Sequence, residues 1–244
     1  MTFIRTLLFN IWFWLWSAVM NVAFLPALLL PRRVVMAGQR VWAMGLNWGL
    51  RHLVGLRWTV RGRGNLLPGP VIIACKHQSM WDTIIWHIEV DDPAIVMKKE
   101  LLRIPVYGWY CRHTKQIPID RAGKTAALKD MLVHARAARD ASRHLIIFPQ
   151  GTRMAPGEKR AYLPGVAALY RDLGLPVVPV ALNSGLFWGR NAFTKKPGEI
   201  VLEYLEPIPA GLPRKEFMSR LEDAIESATD ALEAEAGKSS TGRG

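Results

Sequence analysis

The hydrophobic pattern changes character near residue 55. From Thr6 to Pro31 no residue is charged, and the run Leu7 to Leu30 is almost wholly apolar. At ~1.5 Å per helical residue it is long enough to match a hydrocarbon core of about 30 Å. A secretory signal has an apolar stretch of only about 7–15 residues and a small-residue cleavage site, so a retained anchor fits better. Trp12, Trp14 and Trp16 lie close together, and indole rings favour the headgroup boundary, which argues for shallow, interfacial placement. Asn10, Asn21 and Pro26 count against a simple span, and Arg32-Arg33 closes the run with positive charge. A second, amphipathic helix is predicted over Val34 to Val54, with Trp42, Met44, Leu46, Trp48, Leu50 and Leu53 beside Arg40, Arg51 and His52. Residues 1–55 are therefore expected to form a membrane-associated helical hairpin with both ends on one side. The alternative is a single crossing, which would put residue 1 and the remainder of the chain on opposite faces.

Beyond residue 55 short apolar runs alternate with helical patterns. Strands are predicted at Leu56–Arg61, Val71–Cys75, Ala94–Met97, Ile117–Ile119, His144–Phe148, Val177–Leu182 and Ile200–Leu205. Helices are predicted at Trp81–Glu89, Val106–His113, Lys124–Ser142 and Val166–Leu173. This alternation implies an α/β layer architecture with a largely parallel or mixed sheet. Phe217, Leu221, Ile225, Ala228 and Leu232 recur every three or four residues, predicting a packing helix over residues 214–236. The domain is expected to span 56–236, with Gly237 ending the helix and 237–244 a disordered polar tail.

Charge narrows the partners. The chain of 244 residues carries a formal +12, which favours anionic lipid, nucleic acid or a phosphorylated substrate. Nucleic acid is disfavoured, because no matching motif accompanies the charge. The acids concentrate in the terminal helix, where Glu216, Glu222, Asp223, Glu226, Asp230, Glu233 and Glu235 face only Arg214, Lys215 and Arg220. Two cysteines, Cys75 and Cys111, give neither a disulfide framework nor metal spacing. They read as small apolar residues in a reducing compartment. His113, His134 and His144 read as solvated, and Arg136, Arg139 and Arg143 as an exposed helix face. No metal site is expected, since His77, Asp82 and His87 are evenly spaced and spread around a helix.

The chemistry concentrates in Lys76-His77-Gln78-Ser79-Met80-Trp81-Asp82. A histidine that accepts a proton works best when a carboxylate orients it and stabilises the imidazolium. Residues five apart on one helix point roughly 140° from each other. His77 and Asp82 can meet only if His77 sits in the loop before a helix and Asp82 reaches back. Backbone N–H groups at the start of that helix are candidates for an oxyanion site. No Gly-x-Ser-x-Gly elbow is present.

Three further segments follow in order: Ile117-Pro118-Ile119-Asp120-Arg121, Phe148-Pro149-Gln150-Gly151-Thr152-Arg153 and Val178-Pro179-Val180-Ala181-Leu182. With the His77 block, and with Lys98-Lys99-Glu100-Leu101, Ile104-Pro105 and Gly108-Trp109 between, they resemble the motif blocks of the glycerolipid acyltransferase family. The branch that acylates 1-acylglycerol-3-phosphate looks closest, and the likeness covers roughly residues 58 to 208. The resemblance implies a mixed sheet flanked by helices behind an N-terminal helix pair. It implies transfer of an acyl chain from acyl-CoA or acyl-carrier protein, as co-substrate and with no cofactor, to the sn-2 hydroxyl of a lyso-phospholipid. His77 and Asp82 would be catalytic; Arg153, Lys98, Arg121, Gly151 and Thr152 would bind the acceptor phosphate. An anionic membrane surface would be the partner, with the catalytic domain on the cytoplasmic face. An O-acyltransferase for another lyso-lipid and a non-catalytic lipid-binding protein are the alternatives. Three positions depart from the pattern: Gln150 where Glu is usual, Lys76 where Asn is frequent before the histidine, and Lys115 where Gly is common.

Overall fold

The computed structural model describes residues 2–120 and 123–241. Seven strands form one sheet: β1 (Leu56–Arg61), β2 (Ile72–Cys75), β3 (Ala94–Lys98), β4 (Ile117–Ile119), β5 (Leu145–Ile147), β6 (Val177–Leu182) and β7 (Gly198–Tyr204). Their spatial order is β1-β7-β6-β2-β5-β3-β4. The pairs from β6 through β2, β5 and β3 to β4 are all parallel. β7 is antiparallel to β6 and parallel to β1. The sheet is therefore mixed, as the alternation of runs implies. β2, β5 and β6 are buried along their whole length, which explains their unbroken apolar sequences.

Helices cover both faces. α1 (Thr2–Ala23), α2 (Arg32–Gly49), α3 (Trp81–Ile84) and α4 (Trp86–Glu89) pack on one side, against Ile73, Cys75, Ile146 and Val180. α6 (Lys124–Asp140), α7 (Pro164–Leu173) and α8 (Arg214–Thr241) pack on the other, against Ile72, Ala74, Leu145 and Ile147. The alternating neighbours of β2 thus feed two separate cores. α5 (Tyr107–His113) packs against the hairpin region, where Tyr110 Oη donates to the Asn21 carbonyl at 2.8 Å. α7 begins at Pro164, whose missing N–H costs nothing there, and ends at Gly174 with φ 61°. The stretch expected as one helix over Trp81–Glu89 breaks at Ile85 into α3 and α4. α8 runs past Gly237 to Thr241, so the polar tail expected from 237 is helical as far as it is described.

α1 and α2 form an antiparallel hairpin. Trp12 and Trp16 stack, with ring centroids 5.4 Å apart. Their indole N–H groups donate to the carbonyls of Gly45 and Trp42, each at 3.0 Å. A Cβ on Gly45 or Gly49 would lie 2.3 Å from Trp16 or Trp12, so glycine is what lets the rings lie flat on α2. This corrects the expected cluster of three interfacial indoles: two bind helix to helix, and only Trp14, 72 % exposed, faces outward. α1 is the one helix among the described residues that is long and apolar enough to cross a bilayer. It buries only Thr6, Phe9 and Met20, and shows Phe3, Ile4, Leu7, Leu8, Ile11 and Leu15.

Two readings of basic residues are also corrected. Arg143 lies beyond the end of α6 and is 2 % exposed, not part of a solvated face. Its guanidinium donates to Asp92 and to the carbonyls of Pro93, Thr114 and Lys115, tying the β3, β4 and β5 approaches together. His144 is partly buried, and burial lowers its pKa. His113 likewise has a buried ring nitrogen.

Candidate active site

Five parallel strands present their carboxyl ends to one edge of the sheet, the usual position for ligands in such folds. The loop after β2 begins with Lys76-His77. Asp82, the second residue of α3, reaches back so that its Oδ2 lies 2.9 Å from His77 Nδ1. The same oxygen accepts from the amides of Gln78 at 2.6 Å and Ser79 at 2.7 Å. Ser184 Oγ donates to Oδ1 at 2.6 Å. With three other donors aimed at this fully buried carboxylate, Asp82 acts as acceptor and His77 Nδ1 carries the hydrogen. The lone pair of Nε2 is then free. The imidazole also stacks on Phe148, centroids 4.2 Å apart, which fixes its plane.

Several amides around the start of α3 are already engaged. The amides of Gln78 and Ser79 serve Asp82, that of Trp81 donates to Ser79 Oγ, and that of Gly151 to the Phe148 carbonyl. Neither cysteine is a plausible nucleophile. Burial pushes the Cys75 thiol well above its ordinary range and Cys111 up to about 11, leaving little thiolate at neutral pH.

His77 opens into a cavity of about 1470 Å³. One part of its wall is polar: Lys98 at the end of β3, Asp120 after β4, and Gly151, Thr152 and Arg153 after β5. Lys98, Gly151, Thr152 and Arg153 are positions expected to bind phosphate; the other one expected, Arg121, lies outside the described residues. Arg190 and Asn191 join them, and sequence reasoning missed both. Asn191 Oδ1 accepts from Arg153 at 3.2 Å, and Arg190 donates to the Arg153 carbonyl at 3.4 Å. The remaining wall is largely apolar, formed by Phe13, Met20, Phe24 and Trp42 of the hairpin region with Ile84, Val106 and Leu128. Ser184 was likewise missed, since a lone serine after a core strand carries no local signal. The geometry joins an imidazole paired with a buried carboxylate, cations and a largely apolar wall in one space. A profile of the acyltransferase family matches residues 57–183, which contain every strand from β2 to β6.

The chain belongs to the acyltransferase family.

Among curated members, a Pseudomonas aeruginosa protein named 1-acyl-sn-glycerol-3-phosphate acyltransferase is 35 % identical over 159 residues, 65 % of this chain and 62 % of its own length. A Cocos nucifera protein of the same name is 32 % identical over 140 residues, 56 % of this chain and 45 % of its own. The chain thus spans less than two thirds of the length of either relative. The crystal structure of the 1-acyl-sn-glycerophosphate acyltransferase PlsC from Thermotoga maritima superposes with a TM-score of 0.79 at 22 % identity. That match covers 96 % of this chain and 98 % of the other, so the acyltransferase fold extends through the N-terminal hairpin and α8.

Proposed function

We propose that the protein transfers an acyl chain from acyl-CoA or acyl-carrier protein to the sn-2 hydroxyl of 1-acylglycerol-3-phosphate, giving phosphatidate. The observation that carries this reading is the His77–Asp82 pair, 2.9 Å apart, opening into the space that also holds Lys98 and Arg153. His77 Nε2 takes the proton of the acceptor hydroxyl as its oxygen adds to the thioester carbonyl. Collapse of the tetrahedral adduct breaks the carbon–sulfur bond, and the departing thiolate recovers the proton from the imidazolium. Asp82 stabilises that imidazolium, a role within the ~10²–10⁴-fold typical of acid–base catalysis. A thioester is already activated, so no covalent enzyme intermediate is needed. Arg153 and Lys98, with Arg121, meet the acceptor phosphate, and the apolar wall accepts acyl chains.

The apolar face of α1 rests in one leaflet and brings the cavity to the lipid surface, with the catalytic domain on the cytoplasmic face. The test is transfer by detergent-purified protein from labelled acyl-CoA and acyl-carrier protein to a panel of lyso-lipids. 1-Acylglycerol-3-phosphate should be the preferred acceptor, and folded His77→Ala should lose at least ~10²-fold in kcat. Arg153→Ala should raise KM for the acceptor far more than for the donor. Equal effects on both would remove Arg153 from the phosphate site, and preference for an uncharged lyso-lipid would sink the acceptor assignment.

A further inference from the structure

The helix that carries the chain's acidic excess is bound to the catalytic loops through buried carboxylates. Glu226 of α8 is 6 % exposed, and Lys76, next to the proposed base, is 2 % exposed. Lys76 Nζ and Glu226 Oε2 are 2.6 Å apart. The other oxygen, Glu226 Oε1, accepts from Tyr162 Oη at 2.8 Å and from Gln150 Nε2 at 3.3 Å. Gln150 is the residue before Gly151-Thr152-Arg153, and its own Oε1 is buried without a partner. Two helical turns further along, on the same face, Glu233 repeats the arrangement. It accepts from Gln78 Nε2 at 2.6 Å and from the amide of Gly157 at 3.0 Å. Each carboxylate therefore bridges the loop after β2, which holds His77, to the segment after β5, which holds Arg153.

The charges in this layer are interdependent. A buried ion is tolerated when paired and hydrogen-bonded, and costly when its partner is removed. Lys76 balances one carboxylate. A second one at position 150 would stand beside Glu226 with a single cation for both. Gln150 and Lys76, the two departures from the family pattern that flank the site, thus belong to one network with Glu226. We infer that Glu226 supplies from α8 the carboxylate that position 150 lacks, and that with Lys76 it is a positioning pair fixing the His77 loop against the Arg153 loop.

The inference rests on the acyl-transfer reading, and its test is a charge relocation. Glu226→Gln, Gln150→Glu and the double variant are compared with wild type, using whichever lyso-lipid wild type turns over fastest. Because the pair sets the distance between base and bound acceptor, Glu226→Gln should lower kcat by about 10²-fold while the donor KM moves less than about threefold. Gln150→Glu alone should also be impaired. The double variant, with its acid moved from α8 to the loop, should return to within about tenfold of wild-type kcat. Asp230→Asn, on the same helix as Glu226, removes an exposed pair with Lys159 and should leave kcat unchanged. A folded Glu226→Gln with wild-type kcat overturns the inference, as does a double variant no better than the worse single. Should Glu226→Gln fail to fold, the double variant decides: folded and active upholds the pair, unfolded or inactive overturns it. Wild type inactive on every lyso-lipid would instead sink the acyl-transfer reading itself.

Discussion

At the scale of single residues, the site depends on groups that hold Asp82 as much as on His77. The carboxylate is buried and takes four donors, one of them Ser184 Oγ at 2.6 Å from the far side of β2. A hydrogen bond to a charged buried group is worth about 1.5–3 kcal/mol, so Ser184→Ala should lower stability by that amount. It should also cut kcat by roughly ten- to hundredfold, because the imidazole loses the rigidity of its anchor. Thermal unfolding and single-turnover kinetics on the same sample check both; an unchanged kcat would show that the Gln78 and Ser79 amides suffice. His87 offers a test by pH. It lines the cavity beneath α2, and burial lowers its pKa to about 4. Below about 6.5 the unfolded chain binds a proton that the folded chain refuses, so stability falls as pH drops from there towards 4. The loss from this one group approaches about 3 kcal/mol. His144, shifted the same way by burial, adds to the slope. Urea midpoints from pH 7 to pH 4.5 should therefore be flatter for His87→Gln than for wild type, and parallel curves would contradict the assignment.

At the scale of elements, local pattern carried most of the fold, and its failures have common causes. All seven strands lie within two residues of their predicted limits, helped by β2, β5 and β6, whose burial on both faces leaves continuous apolar runs. What sequence spacing could not show is what arrives from far along the chain. Ser184, Glu226 and Arg190 reach the site from 102 to 149 residues beyond His77 or Asp82, with no local signature. Arg143 was misread for the same reason: its partners lie on the far strands' approaches, while its neighbours in sequence are a solvated helix face. Amides at a helix start are ordinarily free, but here Asp82 takes two that precede α3, those of Gln78 and Ser79. One departure had a legible consequence. Lys115, a departure from the resembled motif pattern, has φ 52° at the end of α5, and the next amide, of Gln116, closes back on the Cys111 carbonyl. A left-handed non-glycine residue costs roughly 1–2 kcal/mol, against the ~0.5–1 kcal/mol of extra chain entropy that glycine brings to the unfolded state. Lys115→Gly should therefore stabilise by about 0.5–1 kcal/mol in chemical denaturation, whereas Lys115→Val should destabilise.

On the scale of the whole molecule, the question is how an apolar N-terminal helix and the α/β domain would share one membrane surface under the proposed function. α1 is fastened to the domain at its amino end: Thr6 Oγ1 accepts from the Lys195 amide at 3.1 Å, and Asn10 Oδ1 accepts from Lys195 Nζ at 2.7 Å. The same ammonium lies 4.9 Å from the ring centroid of Trp188, a favourable cation–π distance. Trp12 and Trp16 hold the following turns to α2, and Phe9 fills the core beside Trp188. A transmembrane crossing would have to break all of these and carry Arg5 through the bilayer, so we propose that the hairpin lies along one face with its start beside the domain. An amino-terminal epitope and one on α8 should therefore be accessible to protease from the same side of sealed vesicles. The outward face then does the anchoring. Exchanging Leu8 and Ile11 together for Asp replaces apolar contact with two charges that resist transfer from water. The variant should release the protein from anionic vesicles in sedimentation while leaving its fold intact. Turnover of a short-chain, water-soluble lyso-phosphate should survive in that variant, and turnover of vesicle-embedded acceptor should fall. Loss of both activities together would mean that α1 supports the cavity rather than its delivery to lipid.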